Sequence, residues 1–232
     1  MKNQYFGDNR DLFKYDLIIQ IIQAGLVNRF MFIPMLTEND DTGHGEKRDR
    51  KKAKAGTENE KLVNFLDKFK KKNKRDIEHL KSFLAKCAIE IEIYYGKGDY
   101  FPSQLRDEYF KQIEDELLLK SLILVDPDKG LQMDKSDKEH ILYSEVKTLY
   151  DRMDRSSILM IFQYFPREKH DKYLGKTAKE LEKAITGDLP LHIDDNNTIF
   201  FFLTKENKSL RKSLGKEISN YGETYHLRVG GT

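Results

Sequence analysis

SLILVDPDKG, residues 121–130, decides how the rest of the chain is read. Ser121 to Val125 is a short, continuous apolar run with no polar alternation. A strand wetted on one face alternates, whereas a strand covered on both faces does not, so this run reads as a central strand of a parallel sheet. The strand then meets Asp126, Pro127, Asp128, Lys129 and Gly130. Pro127 sets the turn, and Gly130 admits backbone conformations that other residues resist.

Working outward, strand-like runs alternate with helical patterns. Asp8 is a good N-cap with Asp11 three residues on, and the apolar stripe Leu12, Phe13, Tyr15, Leu17, Ile18, Ile21 and Ile22 closes at Gly25. Phe30 to Leu36 reads as a strand that Pro34 either confines to an edge or ends early. Residues 62–87 carry helical spacing interrupted by a polar gap, which predicts two helices or one long one. IEIEIYY (89–95) alternates apolar and acidic residues, as a strand near a sheet edge does. Further on, helices are predicted over 103–119, 137–153, 169–185 and 206–219, and strands in SSILMIFQYF, TIFFFL and TYHLRV. Such alternation implies βαβ crossovers. The predicted fold is therefore α/β, a single domain over residues 1–232 with a doubly wound, mostly parallel Rossmann-like sheet flanked by helices. A charged insertion at 37–60, almost free of apolar residues, is predicted to be a mobile loop.

Composition removes several function classes. Cys87 is the only cysteine, so neither an intrachain disulfide nor a cysteine-based zinc site can form. MKNQYFGDNR has no apolar signal region, and no apolar run is long enough to cross a bilayer. The expectation is a cytoplasmic protein without a membrane partner; its oligomeric state is not legible. No G-x-S-x-G and no P-loop pattern occurs, which leaves a hydrolase triad and a P-loop nucleotidase without support. Net charge is only +2, yet KRDRKKAK (47–54) and KFKKKNKR (68–75) concentrate cations in the N-terminal third. Such a patch suits a phosphate backbone, so nucleic acid is the expected partner, met by Lys47, Arg48, Arg50, Lys51, Lys52 and Lys54.

In open α/β sheets, ligands bind beyond the carboxyl ends of the strands, where strand order reverses. The residues there are the candidates for chemistry. Asp126, Asp128 and Lys129 form the first group. Two carboxylates so close repel unless a proton or cation is shared, which suits a magnesium or manganese site or contact with an amino group. FGDNRDLFKY (6–15) places Asp8, Lys14 and Tyr15 at a helix N-terminus, which attracts anions. Glu38 and Asp99 follow the first two strands. In QYFPR, Gln163, Tyr164 and Arg167 combine an amide, a ring and a guanidinium, as stacking on a base and pairing with phosphate require.

FGDNRDLFKYDL, DPDKGL and SILMIFQYFPR together resemble a prokaryotic family of unassigned activity. Its members open with FGD-x-x-D-x-x-KY-x-L and carry D-P-D-[NK]-G-L in mid-chain. More distantly, the layout resembles Rossmann-like methyltransferases that modify nucleic-acid amino groups. In those enzymes an acidic or amide residue at a strand end accepts hydrogen bonds from the target amine, and a following aromatic stacks on the flipped base. The resemblance implies that Asp126 orients the amine, and that Asp8, Lys14, Tyr15, Glu38 and Asp99 line the cofactor cleft, with S-adenosylmethionine as the cofactor. Asp128 and Lys129 stand where those enzymes carry proline and an aromatic, so stacking would fall to Tyr164 or Phe165. TENDDTGHG, rather than a glycine-rich turn, follows the first strand, which implies an altered or lost cofactor site. Two other readings stand beside this one. The first is a metal-dependent nuclease or phosphodiester enzyme using Asp126 and Asp128, with Glu38 or Asp99 completing a magnesium or manganese site. The second is a non-catalytic nucleic-acid-binding or interaction protein.

Overall fold

Strand β1 (Arg29–Ile33), β2 (Glu90–Ile93) and β3 (Ser121–Val125) form one half of a seven-stranded sheet in this computed structural model, which describes residues 1–41, 45–133, 135–166 and 168–231. A short parallel pair, β4 (Gly130–Leu131) and β5 (His140–Ile141), stands apart from it. The sheet is completed by β6 (Ile158–Tyr164), β7 (Leu191–Asp194), β8 (Thr198–Thr204) and β9 (Arg228–Gly230), in the order β2-β1-β3-β6-β8-β7-β9. Strands β2, β1, β3 and β6 are parallel; β8 runs against both β6 and β7, and β9 against β7. Most strands therefore share one direction, as expected.

The continuous apolar runs are explained by what covers the two faces. Leu122 and Leu124 of β3, with Phe30 and Phe32 of β1 and Phe200 and Phe202 of β8, pack into one core. Helices α1 (Asn9–Gln23), α2 (Glu60–Leu66) and α3 (His79–Lys86) cover that face. The alternate residues Ile123, Val125, Met31, Ile33, Ile199 and Phe201 pack into a second core. It lies under α4 (Arg106–Lys111), α5 (Tyr143–Arg152) and α6 (His170–Ile185). α7 (Lys208–Tyr225) returns to the first face through Leu214, Ile218 and Tyr221. Side chains alternate between faces along a strand, so two covered faces require two apolar sets.

Several elements differ from expectation. Pro34 ends β1 at Ile33, but β1 is an interior strand between β2 and β3. The helix predicted from residue 137 begins only at Tyr143, because His140 and Ile141 pair with Gly130 and Leu131. The helix predicted over 103–119 is the short α4 followed by a 3-10 turn at Asp115–Leu118. β7 has no counterpart in the sequence reading; four residues behind Pro190 are too few to show a period. β2 is an edge strand with Glu90 and Glu92 exposed, as its alternation implied.

The described part of the segment at 37–60 is fastened rather than loose. Asn9 N–H donates to Lys47 O (2.8 Å), Arg48 and Arg50 donate to the carbonyls of Phe6 and Gly7, and Ala55 and Gly56 are buried. Its anchors are hydrogen bonds and ion pairs, which leave no apolar signature. Among the described residues no helix is long and apolar enough to cross a membrane.

Candidate functional site

Strand order reverses between β1 and β3: the chain goes from β1 to β2 on one side and to β3 on the other. Asp126 sits at that point, its N–H donating to Ile33 O at the end of β1 (3.0 Å). Only 2 % of Asp126 is exposed. Its Oδ2 accepts from Lys14 Nζ at 2.7 Å, and the same ammonium donates to Asp11 Oδ1 at 2.8 Å.

The FGDNRD stretch builds this arrangement locally. Asp8 Oδ1 caps α1 by accepting from Arg10 N–H (2.8 Å) and Asp11 N–H (3.0 Å). Asp11 Oδ2 accepts from Gly7 N–H (2.8 Å), where the backbone has φ +84. Three residues along the helix, Lys14 then lies beside Asp11 and reaches across to β3. Burial pushes the Asp126 carboxyl above the usual carboxylate range, and Lys14 opposes that shift. Burial and the adjacent Asp11 charge push Asp8 up to about 6. Burial by itself would lower the Lys14 ammonium, but Asp11 and Asp126 more than offset it, so Lys14 stays protonated.

The two aspartates of the turn take different lysines, although the Met1 ammonium lies near both, 4.0 Å from Asp128 Oδ1 and 3.2 Å from Asp126 O. Asp128 accepts from Lys2 Nζ at 2.5 Å, and Lys2 also pairs with Asp40 (3.2 Å) and Glu139 (3.3 Å). Lys129 points outward to Asp137 and to Glu139 (2.7 Å). The pair expected to hold a divalent ion is divided between two lysines. Among the described residues no group of three or more His, Cys, Asp or Glu could hold a metal.

Gln163 was expected to meet a base, but it is 2 % exposed and holds the turn. Its Oε1 accepts from Leu131 N–H (2.5 Å), its Nε2 donates to Tyr164 O (2.5 Å), and a Cβ at Gly130 (φ +93) would overlap its amide. Glycine is therefore required there for close approach as well as for its φ. Tyr164 is half-buried, and the Arg10 guanidinium lies 4.6 Å over its ring. Tyr15 is buried against Phe6 and Phe32, and its hydroxyl has no partner among the described residues. Arg167 lies outside the described residues.

The pocket at Asp126 is small, about 10 Å³, and is walled by Met1, Tyr5, Arg10, Lys14, Phe162 and Tyr164. Residues 1–5 lie on one side; the nitrogen of Met1 donates to Asp126 O (3.2 Å) and Met35 O (3.3 Å). Beyond them, Asp76, Glu78, Tyr95, Gly96, Asp99 and Tyr100 line a cavity of about 570 Å³ at the ends of β1 and β2. Glu38 lines a neighbouring cavity of about 450 Å³ with Lys2, Asp40 and the same Tyr100. The structure thus brings Asp8, Lys14, Tyr15 and Asp126 together and keeps Glu38 and Asp99 apart from them. On the other side, Arg10 also lines a groove of about 490 Å³ with Lys47, Arg48, Lys52 and Lys54, five cations against the three carboxylates Glu46, Asp49 and Asp195.

The basic run divides by residue type. Arg48 donates to Phe6 O (2.8 Å), and Arg50 to Gly7 O (2.9 Å), Asn9 Oδ1 (3.0 Å) and Asp67 (2.9 Å). Both arginines therefore have structural duties, while Lys47, Lys51, Lys52 and Lys54 are exposed. Sequence reasoning missed Arg10, Asp11, Lys2 and the buried Arg75. Asp11 and Lys14 at i,i+3 in the opening motif were a usable signal; Lys2 and Arg75 offered none. Comparison with protein-family models, curated protein sequences and solved structures gives no match for this chain.

Proposed function

We propose that the protein acts on nucleic acid with a methyltransferase-like Rossmann fold, Asp126 orienting the amino group of a base that enters past Arg10. One observation carries the reading. The carboxylate at the strand-reversal point lies in a pocket whose wall, Arg10, is also a wall of the lysine-lined groove. A backbone held by Lys47, Lys52 and Lys54 would present a base at Arg10.

Among the described residues, the Arg10 guanidinium makes no hydrogen bond or ion pair; it stacks on Tyr164 and its charge acts on the buried Asp8 carboxyl. Such a contact is worth about 0.5–2 kcal/mol, which nucleic-acid binding readily offsets. Swinging Arg10 outward widens the pocket and frees the Tyr164 face for a base. Lys14 occupies Asp126 Oδ2, leaving Oδ1 to accept from the amine. Lys14 also keeps the buried carboxylate from becoming an uncompensated charge.

The cofactor cavity fits an unphosphorylated nucleoside. Asp76, Glu78 and Asp99 outnumber the one lysine of the lining, Lys97, and accept from ribose hydroxyls and amines, while Tyr95 and Tyr100 offer ring surface. S-adenosylmethionine, when bound, supplies an electrophilic methyl group. Residues 1–5 separate that cavity from Asp126, so transfer requires them to shift.

Thermal stabilisation by S-adenosylhomocysteine tests the reading. At about 100 times Kd a ligand adds about 2.7 kcal/mol, or roughly 5–10 °C for a chain of this size. Methyl transfer to DNA or RNA should vanish in Asp126→Ala, which removes the acceptor, and persist in part in Asp126→Asn, which keeps an amide oxygen there. Stabilisation by manganese alone, with nucleic-acid cleavage that depends on Asp126 and Asp128, would replace this reading with a nuclease.

A further inference from the structure

The two lysine-rich runs are separated by thirteen residues of sequence, yet they are fastened to each other. Glu46 accepts from Arg75 at 2.9 Å and faces Lys72 at 4.0 Å; Asp67 pairs with Arg50 at 2.9 Å and Lys70 at 3.2 Å. Arg75 is turned fully inward, donating also to the carbonyls of Gln4 (2.7 Å) and Lys70 (2.7 Å). Arginine's planar fork suits such multiple carbonyl and carboxylate contacts, whereas lysine serves as a mobile point charge. The division leaves Lys70, Lys71 and Lys74 of the second run exposed beside the exposed lysines of the first. With a net charge of +2 overall, the remainder of the molecule is acidic.

We infer that residues 68–74 extend the lysine-lined groove into one continuous track for a nucleic-acid phosphate backbone, so that the protein grips a stretch of nucleic acid well beyond the base at Asp126. This rests on the preceding reading only in taking nucleic acid as the polyanion. A membrane surface fits less well, because interfacial binding needs apolar side chains to insert. Phe69, the one aromatic in the run, is stacked on His79 (4.4 Å) and packed against Phe6 and Phe65. Continuity with the groove at Arg10 favours nucleic acid over an acidic protein.

The test is fluorescence anisotropy with a labelled DNA duplex of mixed sequence, and with RNA of the same sequence, across a salt series. The probes are the wild type and a Lys70→Gln/Lys71→Gln/Lys74→Gln variant. Each lost phosphate contact should reduce the salt slope by about 0.9 on a duplex, so the variant should lose about 2–3 in slope with an unchanged Tm. An unchanged slope overturns the proposal. Equal competition by phosphatidylserine vesicles or by polyglutamate also overturns it. A reduced slope in a protein that never binds S-adenosylhomocysteine supports the track and removes the methyltransferase reading alone.

Discussion

Lys14→Met isolates the electrostatic centre of the molecule. Lys14 lies 2.8 Å from Asp11 and 2.7 Å from Asp126, with all three side chains 3 % exposed. Methionine keeps roughly the length and apolar stem but leaves two buried carboxylates without their cation. Breaking a buried pair in this way costs about 3–5 kcal/mol, which for a domain of this size lowers Tm by roughly 6–20 °C. The loss depends on pH in a defined direction. Burial already raises the Asp126 carboxyl above its ordinary value, and removing Lys14 raises it further. A carboxyl whose folded pKa lies above its unfolded one contributes stability that is full below the unfolded value and lost as pH rises through the folded value. The deficit of Lys14→Met against wild type should therefore be smallest in acid and grow towards neutral pH. Urea denaturation followed by circular dichroism, between about pH 4 and pH 8, measures it. Lys14→Met/Asp126→Asn should recover part of the loss at neutral pH. A deficit that is flat with pH, or no recovery in the double variant, would refute the reasoning.

Gly130→Ala should cost about 2–3 kcal/mol, from about 1–2 for the left-handed backbone and about 1 for the Leu131–Gln163 hydrogen bond; Gln163→Ala relieves the overlap, so a double-mutant cycle that proves additive contradicts the packing described. Asp8→Asn keeps the acceptor that caps α1 but cannot titrate. Because Asp8 is pushed up to about 6, wild-type stability gains from its protonation as pH falls from about 6, and the variant should lack that gain in the same denaturation series. Arg48→Ala and Arg50→Ala should each lower Tm, since each removes part-buried hydrogen bonds worth about 1–3 kcal/mol, whereas Lys47→Gln, Lys52→Gln and Lys54→Gln together should leave Tm unchanged and weaken nucleic-acid binding. Arg10→Ala should change stability by less than about 2 kcal/mol while making Tyr164 accessible to solvent, read by fluorescence quenching.

The reach of sequence reasoning differs between elements for a physical reason. SLILV was legible as an interior strand, and TIFFFL as a strand, because burial on both faces demands an apolar residue at every position. IEIEI was legible as an edge because only one face is covered. The start of α1 was legible because a cap and its helix are neighbours in the chain. β7 and the β4–β5 pair were not, since strands of two to four residues depend on distant partners rather than on any period of their own. Gln163 and the two arginines looked like ligand contacts because nothing local distinguishes a side chain that meets solvent from one that meets a carbonyl.

By itself, the sequence determined the alternation of strands and helices, the position of Asp126 at a strand end and the segregation of positive charge. Tertiary structure alone decided which charges meet. Lys14 and Asp126 are 112 residues apart, and Lys2 and Asp128 are 126 apart. The same fold narrows the pocket at Asp126 between Met1, Tyr5 and Arg10. Periodicity and capping are set over one or two turns of chain, so they can be read locally, whereas an ion pair is set by where the whole fold carries its two ends.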